Sequence, residues 1–260
     1  MNLNDYDLIL VNTSGGKDSS VAAFVVTRMA EEWDVKSRIV LVHATFAEEW
    51  AGTVDLVRKQ AEQLALPLVV VERGEDLLKY VERRGMWPSS QQRYCTSDFK
   101  RAPIDKVITA RAPGLDKPAK VLNVMGIRAD ESPARAKRQA FKHDERRTNG
   151  RRIVDEWLPI FSMTLERVWA IIKANGIPVH PAYALGMPRL SCVFCIFAPK
   201  AALVLAGKHN PELLRRYAEV EKKIGHQFRG EPGKKGGLSM AEVLDAVEAG
   251  ASGPVPDWKM

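Results

Sequence analysis

Two groups of residues in this sequence combine types and spacing that do chemistry. The first is the run Ser14, Gly15, Gly16, Lys17, Asp18, Ser19. Its glycines let backbone approach phosphate oxygens, Lys17 brings a compact positive charge, and Ser14 and Ser19 offer hydroxyl donors. Asp18 can orient a magnesium ion or cap a helix. Placed between a strand and a helix, such a turn is an anion site, because free N–H groups and the helix dipole both favour negative charge. No Walker A string can be drawn through it. The second group is Cys95 with Cys192 and Cys195, the only cysteines of the chain. They are too few, and odd in number, for a secreted disulfide framework, whereas a C-x-x-C pair suits metal or redox chemistry inside a cell.

The elements that position these groups are legible from apolar periodicity. Asp7 to Asn12 reads as a buried parallel strand feeding the glycine turn, and Ser19 to Glu32 as the helix after it. Arg38 to Ala44, Thr53 to Leu64, Leu68 to Glu72 and Glu75 to Arg84 continue as strand, helix, strand and helix. That order predicts an α/β fold, a doubly wound and mostly parallel sheet. Pro103 opens a helix to about Ala110, Lys120 to Met125 is a fourth strand, and the sheet ends there or one strand later, within Ile153 to Ile160. Leu165 to Ala174, Ala201 to Gly207 and Glu212 to Ile224 read as helices, and Ser239 to Glu242 is a capping box for a last one. Gly230 to Gly237 reads as a flexible basic loop. The expected division is 1–162, a nucleotide-binding α/β domain, and 163–260, a helical region carrying the C-x-x-C pair.

At 260 residues, with 45% hydrophobic and 27% charged residues, the chain has the composition of an ordinary globular protein. No apolar run is long enough to span a membrane and the start lacks a signal core, so a cytoplasmic protein is expected. The net charge of +7 favours anionic partners without choosing among nucleotides, nucleic acids and acidic surfaces. Arg135 to Arg152 is rich in Arg and Lys and poor in large apolar residues. It is expected to be solvated or mobile, able to track nucleic-acid phosphates or to close over a nucleotide.

The loop Ser14 to Ser19 resembles the pyrophosphatase loop of the adenine nucleotide α-hydrolase superfamily throughout its signature. Tyr94-Cys95-Thr96 with Lys100 and Pro103-Ile104, then Gly126-Ile127-Arg128 with Asp130-Glu131-Ser132 and Arg135, and finally the C-x-x-C pair, follow in the order of the phosphoadenosine phosphosulfate reductase-like family. That resemblance, over roughly Asp7 to Pro199, implies a PP-loop enzyme that cleaves ATP to AMP and pyrophosphate to adenylate an acceptor, or a sulfonucleotide reductase. It implies that Val42, His43 and Ala44 meet adenine and that Gly126, Ile127 and Arg128 approach ribose and phosphates. Arg128 is the candidate phosphate-binding arginine, since a guanidinium can bond two phosphate oxygens at once. With Lys17 and Asp18 it makes up the candidate catalytic set.

The resemblance also implies a metal centre on Cys95, Cys192 and Cys195. A 4Fe–4S cluster with one iron lacking a protein thiolate, a zinc site completed by a histidine such as His180 or His226 or by an external ligand, and free thiols are the alternatives. Two departures bear on the reaction. Residues 253–260 hold no cysteine, where thioredoxin-dependent reductases carry their nucleophile. Thr96 stands where cluster-containing reductases have the second of two adjacent cysteines. Glu48, Glu49 and Trp50 follow the second strand and either line the substrate entrance, with a carboxylate toward magnesium, or form a solvated turn and an edge cover. Lys17 is expected as an exposed loop cation outside the core. The expected ligands are ATP or another adenine nucleotide, Mg2+ and a 4Fe–4S cluster; the acceptor is unnamed, and a nucleic acid is one class of it. A binding module without chemistry is the contrasting class.

Overall fold

The computed structural model describes residues 1–112, 117–230 and 237–258. The basic stretch Gly230 to Gly237 lies outside them except at its two ends. Six strands form one sheet: β1 (Leu8–Asn12), β2 (Ile39–Thr45), β3 (Leu68–Glu72), β4 (Ala119–Met125), β5 (Phe141–His143) and β6 (Arg152–Trp157). Their order is β3-β2-β1-β4-β6-β5, parallel except for the antiparallel β5–β6 edge. The central strands are apolar along their whole length because helices cover both faces. Ile9, Val11, Ile39, Leu41, Leu122 and Val124 alternate toward one face, where Ala23, Val26 and Ala30 of α1 (Lys17–Glu32) and Ala61 of α2 (Thr53–Leu64) meet them. Leu8, Leu10, Val40, Val42, Val121 and Val154 pack on the other face.

Among the described residues, six further helices surround the sheet and two short ones join them. They are α3 (Leu77–Arg84), α4 (Tyr94–Thr96), α5 (Ala102–Arg111), α6 (Pro133–Ala136), α7 (Leu165–Ala174), α8 (Lys200–His209), α9 (Pro211–Ile224) and α10 (Met240–Glu248), the last four completing the chain's second half. Val107 and Ile108 of α5 complete the second face. Side-chain caps set several starts: Asp76 accepts from Leu78 N–H at 2.8 Å, and Ser239 and Glu242 form the expected reciprocal capping box. A separate apolar cluster joins α3, Trp87, Tyr94 and Phe99 to α8, α9, α10 and Trp258, so the second half of the chain packs directly on the first.

Two expectations change. The helix expected to open at Pro103 begins earlier, at Tyr94, and passes through a π-helical stretch, Ser97–Arg101, before α5. A turn closed by i→i+5 bonds brings residues five apart toward one side, and Cys95 and Lys100 are such a pair. The segment Arg135 to Arg152, expected to be solvated or mobile, is folded: it contains β5, and several of its cations are held by acids. Arg138 pairs with Glu156, Arg146 with Asp105 at 3.3 Å, and Arg147 with both Asp105 and Asp144 at 2.6 Å. Arg147 and Asp144 are buried, which composition alone does not reveal. The acids that neutralise this stretch lie mostly outside it, so a count of local charge overstates its freedom.

Candidate functional site

At the carboxyl end of β1 the chain turns through Gly15, in the left-handed region at φ +71°, into Gly16, the N-cap of α1. A side chain at Gly15 would be strained, and its Cβ would stand 3.3 Å from Thr53 Cγ2. Among the described residues, the N–H groups of Gly16, Asp18 and Ser19 have no acceptor in the chain, while Lys17 N–H donates to the Tyr183 hydroxyl at 2.9 Å. The turn is braced from inside: Ser14 N–H donates to Ser19 Oγ at 3.1 Å, and Ser19 Oγ donates to the Gly16 carbonyl at 2.9 Å. Open N–H groups at a helix start make an anion seat. Lys17, expected to be exposed, is only 5% exposed; its ammonium donates to the Pro188 carbonyl at 3.2 Å and stands 3.4 Å from Asp18. It is covered because residues 183–190 fold over the loop, a contact between segments far apart in sequence.

β1 and β4 are neighbours whose following segments leave the sheet in opposite senses, the switch point at which open α/β sheets form their crevice. Gly126, just past β4, lies so close to the start of α1 that a Cβ there would be 2.6 Å from the Asp18 carbonyl oxygen and Ser19 Cα. Ile127 follows it, half-buried. Arg128, 4% exposed, donates from Nε to Asp18 at 2.5 Å and from Nη1 to Asp130. Its guanidinium is therefore engaged by two carboxylates, and it lines a small groove beside the main cavity. Asp18 in turn is shared between Arg128 and Lys17.

The loop opens into a cavity of about 310 Å³, lined by Ser14, Gly16, Lys17, Asp18 and Ser19 at one end and by Cys95, Cys192 and Cys195 further along. That is the size of a small-molecule site. Lys100, from the π-helical stretch, places Nζ 3.9 Å from Cys192 Sγ. Burial pushes the Cys192 thiol up to about 12 and raises Cys95 and Cys195 as well, with Lys100 opposing the rise in each. Burial also tends to discharge Lys100, but the surrounding thiols and Glu49 raise its pKa on balance. Neutral thiols beside an ammonium leave this wall positive, suited to an anion or to a metal that converts thiols to thiolates. Thr96 lines the same wall.

Other residues expected at the site stand elsewhere. Val42 spends its carbonyl on Thr13 N–H, and His43 is buried between the Thr13 carbonyl and Glu49; neither they nor Ala44 line the cavity. Glu48 is fully buried, Trp50 sits in the core edge-on to His180, and Glu49 is held by His43 and Thr45, so none of the three lines the cavity, and Glu48 is not part of a solvated turn either. His180 has both ring nitrogens occupied, by the Ala51 carbonyl and Ala182 N–H, and His226 bonds the Gln227 carbonyl away from the cavity. Among the described residues, no three His, Cys, Asp or Glu side chains stand together in a way that holds a single metal ion. The cavity also has walls that local pattern did not single out. Arg189 and Tyr217 line it, and the Tyr217 hydroxyl, in a side chain 2% exposed, has no hydrogen bond among the described residues. Only their three-dimensional neighbours distinguish them from an ordinary arginine and an ordinary core tyrosine.

Residues 8–198 match the family model described as the phosphoadenosine phosphosulfate reductase domain. The chain is 32% identical over 200 residues to an uncharacterized 37.8 kDa protein of Escherichia phage 186, covering 74% of this chain and 58% of that one. It spans about half the length of the curated relatives it matches. In fold it is similar to a phosphoadenylyl-sulfate reductase of Candida auris, with TM-score 0.51 and 16% identity over 73% of this chain and 83% of that one. It is similar also to a tRNA thiolase of Methanococcus maripaludis solved with a 4Fe–4S cluster, with TM-score 0.50 and 15% identity over 94% and 72%. No helix among the described residues is long and apolar enough to cross a membrane.

Proposed function

Since the chain belongs to the phosphoadenosine phosphosulfate reductase domain family, we propose that it is an adenylating sulfurtransferase, which activates an acceptor with ATP and then replaces the activated oxygen by sulfur. One observation carries the reading: the phosphate loop and all three cysteines line a single cavity. In this reading residues 1–162 hold the nucleotide and 163–260 bring Cys192 and Cys195 to it. The triphosphate lies on the open N–H groups of Gly16, Asp18 and Ser19, with Lys17 opposing its charge. Magnesium arrives with the nucleotide, and Asp18 offers it a carboxylate at the cavity wall. An acceptor oxygen attacks the α-phosphorus, the α–β anhydride bond breaks, and pyrophosphate leaves. A sulfur nucleophile then displaces AMP from the acceptor.

The donor set fits an iron–sulfur cluster better than a single ion. Three soft thiols on the wall of one cavity suit a cluster, which is broader than one ion, and neither histidine considered for zinc lines that cavity. Cys95, Cys192 and Cys195 would hold a 4Fe–4S cluster, which would supply an iron free of protein thiolate as a Lewis acid toward sulfur. Thr96, a hydroxyl on the same wall in place of a fourth thiol, favours this over the four-thiolate arrangement of cluster-containing reductases. Lys100 then balances the charge of the thiolates. The reductase reading has the family's own name in its favour and is the alternative to test.

Protein purified anaerobically is incubated with Mg-ATP, sulfide and bulk tRNA as probe acceptor, and separately with adenosine 5′-phosphosulfate and a dithiol. Pyrophosphate and AMP from the first, bound iron and sulfide, and iron loss in each Cys→Ser variant are expected. Sulfite from the second mixture with no ATP cleavage would establish the reductase instead. Binding without turnover in either would leave a nucleotide-binding module.

A further inference from the structure

Arg189 belongs to neither motif of the site, yet the fold builds a socket for it. Its side chain is 11% exposed. Nη2 donates to Glu131 Oε1 at 3.0 Å and Nη1 to the Trp258 carbonyl at 2.8 Å, and the Trp258 ring centre lies 5.9 Å from the guanidinium carbon. Pro188, directly before it, accepts from the Lys17 ammonium, and Leu190, directly after it, packs against Gly15. Residues 188–190 therefore lie across the phosphate loop, with Arg189 lining both the main cavity and the small groove that shares Lys17 and Glu131 with it.

A guanidinium carries five N–H donors, and the bonds to Glu131 and Trp258 leave donors unused beside the loop. The charge is also only partly compensated: Glu131 is shared between Arg189 and Arg135 and accepts from Arg128 N–H as well. Lys17, Arg93, Lys100, Arg135 and Arg189 line the cavity against only Asp18 and Glu131 among its acids. A half-buried cation fixed by two bonds, with donors left over in a cavity shared with the phosphate loop, is preorganised for a second set of phosphate oxygens. We propose that Arg189 binds the pyrophosphate portion of the nucleotide, β and γ phosphates before cleavage and the leaving pyrophosphate after it, and that Trp258 holds Arg189 in place for that task. This rests on the loop being a nucleotide site.

The Trp258 indole is buried and its Nε1 has no partner among the described residues, so replacing it by Phe removes none of the hydrogen bonds described, whereas Ala empties the anchor. Calorimetric titration of the full chain with inorganic pyrophosphate and, separately, with AMP tests the proposal. Arg189→Gln leaves Glu131 its bond to Arg135, so the fold should hold, which circular dichroism checks. Pyrophosphate affinity is expected to fall about tenfold or more in Arg189→Gln and in Trp258→Ala, and to persist in Trp258→Phe, while AMP affinity stays within about twofold. If Arg189→Gln binds pyrophosphate as wild type does, or loses AMP by the same factor, the assignment to Arg189 is wrong while the loop reading stands. If wild type binds neither pyrophosphate nor ATP, the nucleotide site itself is wrong.

Discussion

Lys17 joins the two halves of the site at the residue scale. Its backbone N–H and its ammonium are both held by residues 183–188, and it lines the cavity beside the open N–H groups. Lys17→Ala should weaken ATP binding about tenfold or more, because a charge-assisted bond contributes about 1.5–3 kcal/mol. Stability should drop by only about 1 kcal/mol, since Asp18 keeps Arg128. Calorimetry and urea unfolding read the two effects; unchanged ATP affinity would remove Lys17 from the site. Glu48 makes a different kind of statement. Both carboxylate oxygens are buried with no hydrogen-bond partner among the described residues, and burial, with Asp76 nearby, raises its pKa from 4.5 to about 7. Below pH 4.5 folded and unfolded chains both hold the proton, and between 4.5 and about 7 the folded chain alone keeps it. Stability attributable to this group therefore falls as pH rises through that window, by up to about 3 kcal/mol, and levels off above it. Glu48→Gln should flatten that slope in denaturant unfolding from pH 4 to 8; an unchanged slope would assign it to other groups.

Two elements meet closely where the end of β4 passes the start of α1. Gly126 is required there by contact and not by its dihedral angles, because any side chain would strike the backbone of Asp18 and Ser19. Gly126→Ala must push β4 and α1 apart, with a cost of about 1–3 kcal/mol and a displaced phosphate loop. Thermal unfolding should show the loss, and ATP affinity should fall with it. Wild-type affinity in a destabilised variant would mean that the strain relaxes away from the loop. The π-helical stretch is the other decisive element: it turns Cys95 and Lys100 together toward the cavity that Cys192 and Cys195 enter from the second half of the chain.

For the molecule as a whole, the cavity is a seam. One wall follows β1 and β4, and the other is carried by residues 187–228, which share an apolar cluster with α3, Trp87 and Phe99. A ligand gripped by both walls should stabilise the fold as one unit. Pyrophosphate at about 100 times its Kd should add about 2.7 kcal/mol and move a single unfolding transition upward. A calorimetric trace in which only part of the transition moves would mean that the ligand touches one wall alone.

Much of this was legible in the sequence, and the boundary has a physical cause. Strand and helix order, the loop Ser14 to Ser19 at a strand end, the capping box at Ser239 and the C-x-x-C pair all rest on interactions within a few residues, so local spacing reports them. The doubly wound sheet follows because apolar strands alternating with amphipathic helices have few other ways to bury both faces. What the tertiary structure decided is each property set by residues distant in the chain. Lys17 is covered by residues 183–190, and Arg128 is taken by Asp18. The basic stretch is neutralised from Asp105 and Glu156, and Glu48 is sealed in the core. Arg189 and Tyr217 carry no local signature. Their place at the cavity comes from packing, in which a side chain's chemistry is set by whichever neighbours the fold brings to it.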